Sequence, residues 1–146
     1  MLSETNKTLS RRFFDEVFGQ GKLNVLDEII TTDHVNSGPG ALPGQPTGPE
    51  GTKQLVTVYR NAFPDLRFTI DEQITEGDKV VTRWTADGTH QGELAGIPPT
   101  NKTFTVGGIV VDRIVNGKIA ESWGIFDQFG LMQQLGVIPM PEVAGK

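Results

Sequence analysis

Apolar positions along this chain change their spacing once. Up to about residue 64 they recur every three or four residues, the repeat of an amphipathic helix. From Leu66 onward they alternate with polar residues, the repeat of a half-buried strand. In the first helical stretch, over residues 3–20, Leu9, Phe13 and Val17 form a stripe with Phe14 and Phe18 beside it. Ser3 is placed to cap it, and Gly19 and Gly21 to end it. A shorter helix over 24–30 would bury Leu26, Ile29 and Ile30. Asp33-His34-Val35-Asn36-Ser37 then leads into a Gly- and Pro-rich loop reaching Pro49, of a length that suits a lid or rim. Thr47 or Gly48 caps a third helix, with Pro49 at its first position and Leu55, Val58, Tyr59 and Ala62 on its buried face.

The alternating half predicts a strand from Leu66, a turn at Glu76-Gly77-Asp78, a strand over 79–90 and a turn-rich connector over 92–102. A hairpin follows over 104–126. Asn116-Gly117 is its turn, because a type I′ turn needs positive φ at both central residues. Asp127 reads as the N-cap of a last short helix that Gly136 stops. Three helices, antiparallel strands and a terminal helix make an α+β pattern, with the helices on one face of a curved sheet.

A chain of 146 residues suits a single domain spanning 1–146. Its net charge of −5 includes no basic block, which argues against nucleic acid as a partner. No run approaches the length of a membrane span, and Met1 to Lys7 lacks the pattern of a signal peptide. The absence of cysteine excludes disulfides and thiolate chemistry and suits a cytoplasmic protein.

Candidate chemistry rests on a few residues. Asp127 near aromatics can act as a general base, or simply cap its helix. His90 can carry a proton, or anchor the Pro-Pro-Thr segment that follows it. His34 follows helix two and reads as a rim or surface histidine sooner than a catalytic one. Asn36 could orient a carbonyl, or serve as a turn residue before Gly38-Pro39. Trp84 and Trp123 would line a flat aromatic pocket, or pack in the core. Arg83, Asp112 and Glu121 suggest a charge network. In a regular hairpin Asp112 faces Glu121, and the two carboxylates either share a proton as an acid/base device or, the favoured reading, are both solvated edge residues. Two histidines without clustered carboxylates make no metal site.

Three blocks resemble the SnoaL-like polyketide cyclases of the nuclear transport factor 2-like superfamily. The run from Gly88 to Thr100, Gly-Thr-His-Gln-Gly-Glu-Leu-Ala-Gly-Ile-Pro-Pro-Thr, is similar to their G-x-H-x-G-x-x-x-G-[IM]-P-P-T. Arg113-Ile114-Val115-Asn116-Gly117-Lys118-Ile119 is similar to their R-I-V-x-G-K-I hairpin, and 127–136 to their D-x-x-G-x-x-x-Q-L-G ending. The resemblance implies a cone-shaped α+β barrel around a cavity. It implies a cyclase, isomerase or lyase that works without cofactor or metal, closing a ring in a hydrophobic, polyketide-like molecule by an aldol-type acid/base step. The family's Asn corresponds to Asn36. Its His, Asp and Gln fall at Val110, Gly124 and Gly108. Proton transfer would then pass to His90 or Asp127, with Asn36 orienting the substrate and His34, Trp84, Trp123, Val110 and Gly124 contacting it. The competing reading is a ligand-binding or accessory protein without turnover.

Two further expectations concern the sheet. With both hairpin faces apolar, one face needs a second copy of the chain, giving a homodimer or homotetramer. A regular hairpin pairs Gly124 with Ile109, so a β-bulge at Gly107-Gly108 is needed to turn both Val110 and Gly124 toward the cavity.

Overall fold

The computed structural model describes residues 2–139. Helix α1 (Leu2–Arg12) starts one residue before its expected cap, so Ser3 lies inside it. It continues into a π-helical turn over Phe13–Phe18, closed by the Gly19 N–H donating to the Phe14 carbonyl at 2.9 Å. The wider turn keeps Phe13, Phe14 and Phe18 together, with Phe13 edge-on to both others at 5.3 and 5.2 Å. A 3₁₀ turn (Leu23–Val25) leads into the single-turn α2 (Leu26–Ile29).

The chain then forms a strand that its sequence pattern hides. β1 (Ile30–Ser37) buries only Ile30 and His34 and carries polar residues on both faces. It is an edge strand, parallel to β5, with an irregular register between Ile30 and Val35. α3 (Gly48–Ala62) follows, with Thr52, Leu55, Val56 and Ala62 buried. Val56 rather than Val58 fills its innermost position.

The strands β2 (Arg67–Glu76), β3 (Lys79–Thr89), β4 (Thr103–Val115) and β5 (Lys118–Phe126) complete one curved, unclosed sheet in the order β1-β5-β4-β3-β2. α4 (Gln128–Gln134) ends the described fold. The core lies between helices and sheet, around Val17, Leu26, Ile29, Val56, Phe63 and Val80.

Asn116 and Gly117 both take positive φ, +49° and +79°, as the type I′ turn requires. The bulge is elsewhere than expected. Gly107 and Gly108 pair regularly with Thr85 and Trp84. The irregularity sits next to the turn: Ile114 pairs with Ile119 and Arg113 with Glu121, leaving Ala120 as the extra residue. Beyond it Asp112 faces Ser122 and Val110 faces Gly124. One inserted residue thus turns Ser122 and Gly124 inward and Trp123 outward.

Candidate active site

The cavity between sheet and helices has two kinds of wall. Toward β2 and β3 it is aromatic. Phe68 packs on Trp84 at 5.0 Å and on Phe18 at 4.8 Å, and Trp84 lies 6.1 Å from Phe126. Gly108 permits this packing, because a Cβ there would collide with the Trp84 indole. Toward β1, β5 and β4 the wall is polar, with His34, Asn36, Ser122 and Asp112 lining it.

Those polar groups form a chain of hydrogen bonds. Ser10 Oγ of α1 donates to Asp112 Oδ2 at 2.7 Å, and Ser122 Oγ donates to Asp112 Oδ1 at 2.7 Å. Ser122 Oγ in turn lies 3.0 Å from His34 Nε2. Both ends are buried, His34 at 3% exposure and Asp112 at 4%. Burial pushes the Asp112 carboxyl above the usual carboxylate range, while the two serine hydroxyls pull it back. Burial lowers His34 to about 4, against the weaker opposing pull of Asp33 and Glu121. The cavity-lining Tyr59 phenol is pushed up by burial.

Asn36 lines the same wall, its Nδ2 donating to Gln45 Oε1 at 3.3 Å. Gln45 belongs to the long loop before α3. Of the two expected roles, lid or rim, the loop takes the second, strapped to the sheet: the Gly40 N–H donates to the Gly124 carbonyl at 2.8 Å, and Gly40 is part of the cavity wall. Thr52 also lines the cavity, and its Oγ1 is buried without a hydrogen-bond partner.

The structure separates the other candidates. Val110, Gly124 and Trp84 line the cavity. A Cβ at Gly124 would meet nothing closer than 3.7 Å, so the position is open toward the cavity. His90 does not line it. This ring is fully buried behind Phe63, and its Nδ1 accepts from the Thr100 backbone N–H at 3.2 Å, the loop anchor allowed by its position. Asp127 is exposed and caps α4, Oδ1 accepting from the Gly130 N–H at 2.8 Å. Trp123, expected beside Trp84, faces outward at 43% exposure against Gly38. Alternation around the bulge is the reason.

The expected charge network also regroups. Arg83 pairs with Glu72 and Asp71, and Arg113 with Glu121. Asp112 is buried, not a solvated edge carboxylate. Its position inside the apolar run Val110-Val111-Asp112-Arg113-Ile114 was the available signal, since a charge among inward-facing strand residues needs partners. Ser10 and Ser122 carried no comparable signal.

The SnoaL-like polyketide cyclase family model matches residues 8–135. A nogalonic acid methyl ester cyclase from Streptomyces nogalater is 35% identical, over 88% of this chain and 95% of that one. This chain belongs to the SnoaL-like polyketide cyclase family. The aklanonic acid methyl ester cyclase DnrD from Streptomyces peucetius is 34% identical, over 87% of this chain and 89% of its own. Among solved structures, TsrD from Streptomyces laurentii superposes with a TM-score of 0.82 at 29% identity, covering 92% of this chain and 97% of the other.

As a SnoaL-like chain it keeps Asn36 in the cavity wall but has an apolar Val110 and an empty Gly124 at the two positions where the resemblance places the acid/base pair. Its inward-facing titratable groups lie one strand pair further along the sheet, at Asp112, and on the edge strand, at His34. Among the described residues no group of three or more His, Asp or Glu could hold a metal, and no helix is long and apolar enough to cross a membrane.

Proposed function

We propose that this chain is a polyketide cyclase-type enzyme that isomerises a flat, hydrophobic polycarbonyl compound by intramolecular carbon–carbon bond formation, without cofactor. The observation that carries the reading is the polarity of the cavity. Aromatic walls suit a planar apolar ligand, and Asn36, His34, Ser122 and Asp112 converge on one side where a carbonyl and its acidic C–H would sit. Asn36 orients the carbonyl, and the unpartnered Thr52 hydroxyl offers a second donor.

The test is incubation with nogalonic acid methyl ester or aklanonic acid methyl ester, the compounds named for the relatives' activities. An aldol closure leaves the mass unchanged, so the expected result is a protein-dependent isomer resolved by chromatography. An ester that quenches tryptophan fluorescence but is never converted would support the binding-protein reading instead, which Val110 and Gly124 favour.

We also propose that the enzyme is a homodimer, or a homotetramer made of two such pairs, joined through the outer sheet face. Val35, Ile74 and Trp123 are exposed there at 44%, 56% and 43%, more apolar surface than an isolated sheet face commonly leaves in water.

A further inference from the structure

The hydrogen-bond chain behind the cavity has two complete proton arrangements, and they differ by one proton. With Asp112 ionised, Ser122 donates to Asp112 Oδ1, so His34 Nε2 must carry the proton that Ser122 Oγ accepts. His34 Nδ1 is then a bare lone pair. With Asp112 neutral, its Oδ1–H donates to Ser122, Ser122 donates to His34 Nε2, and the ring proton sits on Nδ1. Every bond in the chain survives the change. Ser10 holds Oδ2 in both states and keeps Oδ1 for Ser122.

We propose that His34, Ser122 and Asp112 are a proton relay, in which His34 takes a proton from the bound ligand at Nδ1 and passes its Nε2 proton through Ser122 to Asp112. The proposal rests on the cyclase reading for the identity of the proton donor, a C–H beside a carbonyl. The C–H bond breaks and its electron pair stays on the ligand as an enolate. One N–H forms at Nδ1 while the other, at Nε2, breaks. An O–H forms on Ser122 as its own proton moves to Asp112. After ring closure the new alkoxide takes the proton back by the reverse path, so no proton is lost or gained overall. His34 touches the ligand and is the catalytic residue. Ser122 and Asp112 act through it.

Shared transfer answers a difficulty in the site. A histidine so deeply buried makes a poor imidazolium, because its charged form has lost its water. In the relay the ring stays neutral throughout. The charge that changes is on Asp112, whose carboxyl is already pushed by burial toward accepting a proton. The groups facing the relay leave this balance alone. Asp112 meets Ser10 from α1, Ser122 from β5 and Val80 from β3. His34 meets Ser122 and feels Asp33 and Glu121, and Glu121 is itself paired with Arg113. The Tyr59 phenol across the cavity stays neutral.

The relay is tested without any ligand, so its failure is distinct from a failure of the cyclase reading. The full chain, with ¹⁵N in its histidine rings and ¹³C in its aspartate carboxyls, is titrated from alkaline to acid pH by NMR. The chain has two histidines. His90, whose Nδ1 accepts from the Thr100 N–H and which makes no contact with the relay, supplies the second ring signal for comparison. We expect His34 to stay neutral through the Asp112 midpoint and to switch there from the Nε2–H to the Nδ1–H tautomer. Ser10→Ala removes a donor to the carboxylate and should move that shared midpoint to higher pH. Ser122→Ala should uncouple the two, Asp112 titrating while His34 keeps one tautomer. A purely structural hydrogen bond gives no tautomer switch. In the unmodified protein, a His34 that holds one tautomer through the Asp112 titration, or that gains a second proton at that midpoint, overturns the relay.

Discussion

His34 makes the fold sensitive to acid in a way that can be isolated. In the unfolded chain its ring has the ordinary value near 6.5, and in the folded protein burial lowers it to about 4. A depressed histidine contributes stability that is fully present above 6.5 and is lost as pH falls toward 4, because only the unfolded chain takes up the proton in that window. The whole window is worth about 3 kcal/mol, and about 2 kcal/mol of it is gone by pH 5. The perturbation is His34→Gln, whose amide can still donate to Ser122 Oγ. Denaturant unfolding at pH 7 and pH 5 gives the loss of stability for each protein. The unmodified chain is expected to lose about 2 kcal/mol more than the variant between those two conditions. Asp112 works with the opposite sign: its raised carboxyl contributes most in acid and loses that contribution as pH rises through its folded value. Because Asp112 is linked to His34 through Ser122, its share is read from the carboxyl midpoint in each protein and subtracted. Equal losses in the two proteins, within the error of extrapolation, would refute the claim that burial holds His34 neutral.

Two further outcomes follow from the placement of the remaining candidates. Asp127 caps α4 in the open, so Asp127→Asn should leave both stability and any turnover measured in the methyl ester assay unchanged, while Asp127→Ala should cost about 1 kcal/mol in denaturant unfolding. Trp123→Lys places a charge on the outer sheet face and should convert the proposed dimer to monomer by light scattering. A lone chain before the substitution would count against the interface.

Most of the fold was legible because the two periods in the sequence are clean. The Asn116-Gly117 turn, the alternation of β3 and the cap at Asp127 are local features with local causes. What the sequence hid was set by tertiary placement. β1 lacks an apolar stripe because its inward residues, His34 and Asn36, face the polar end of a cavity rather than a core. Ala120 carries no mark of a bulge, yet it decides that Ser122 and not Trp123 turns inward. The resemblance implied the cavity, but a regular hairpin turned Val110 and Gly124 to opposite faces, and it is the bulge at Ala120 that brings both to the cavity wall. The partners of Asp112 were not, because Ser10 lies 102 positions away and a serine in a helix gives no hint of what it bonds.

Half of the polar wall hangs on an edge strand of the sheet. β1 has one neighbour, and its pairing with β5 is interrupted between Ile30 and Val35. Edge strands with interrupted pairing belong to the regions that open locally at a fraction of the global unfolding free energy. Opening β1 carries away His34 and Asn36 together while β2 to β5 and their aromatic wall persist. The chain can therefore lose its chemistry and keep its shape. A population inactive at elevated temperature would still bind flat hydrophobic molecules and still give the spectroscopic signature of an intact sheet. Loss of activity and loss of the sheet are thus expected as separate events on heating.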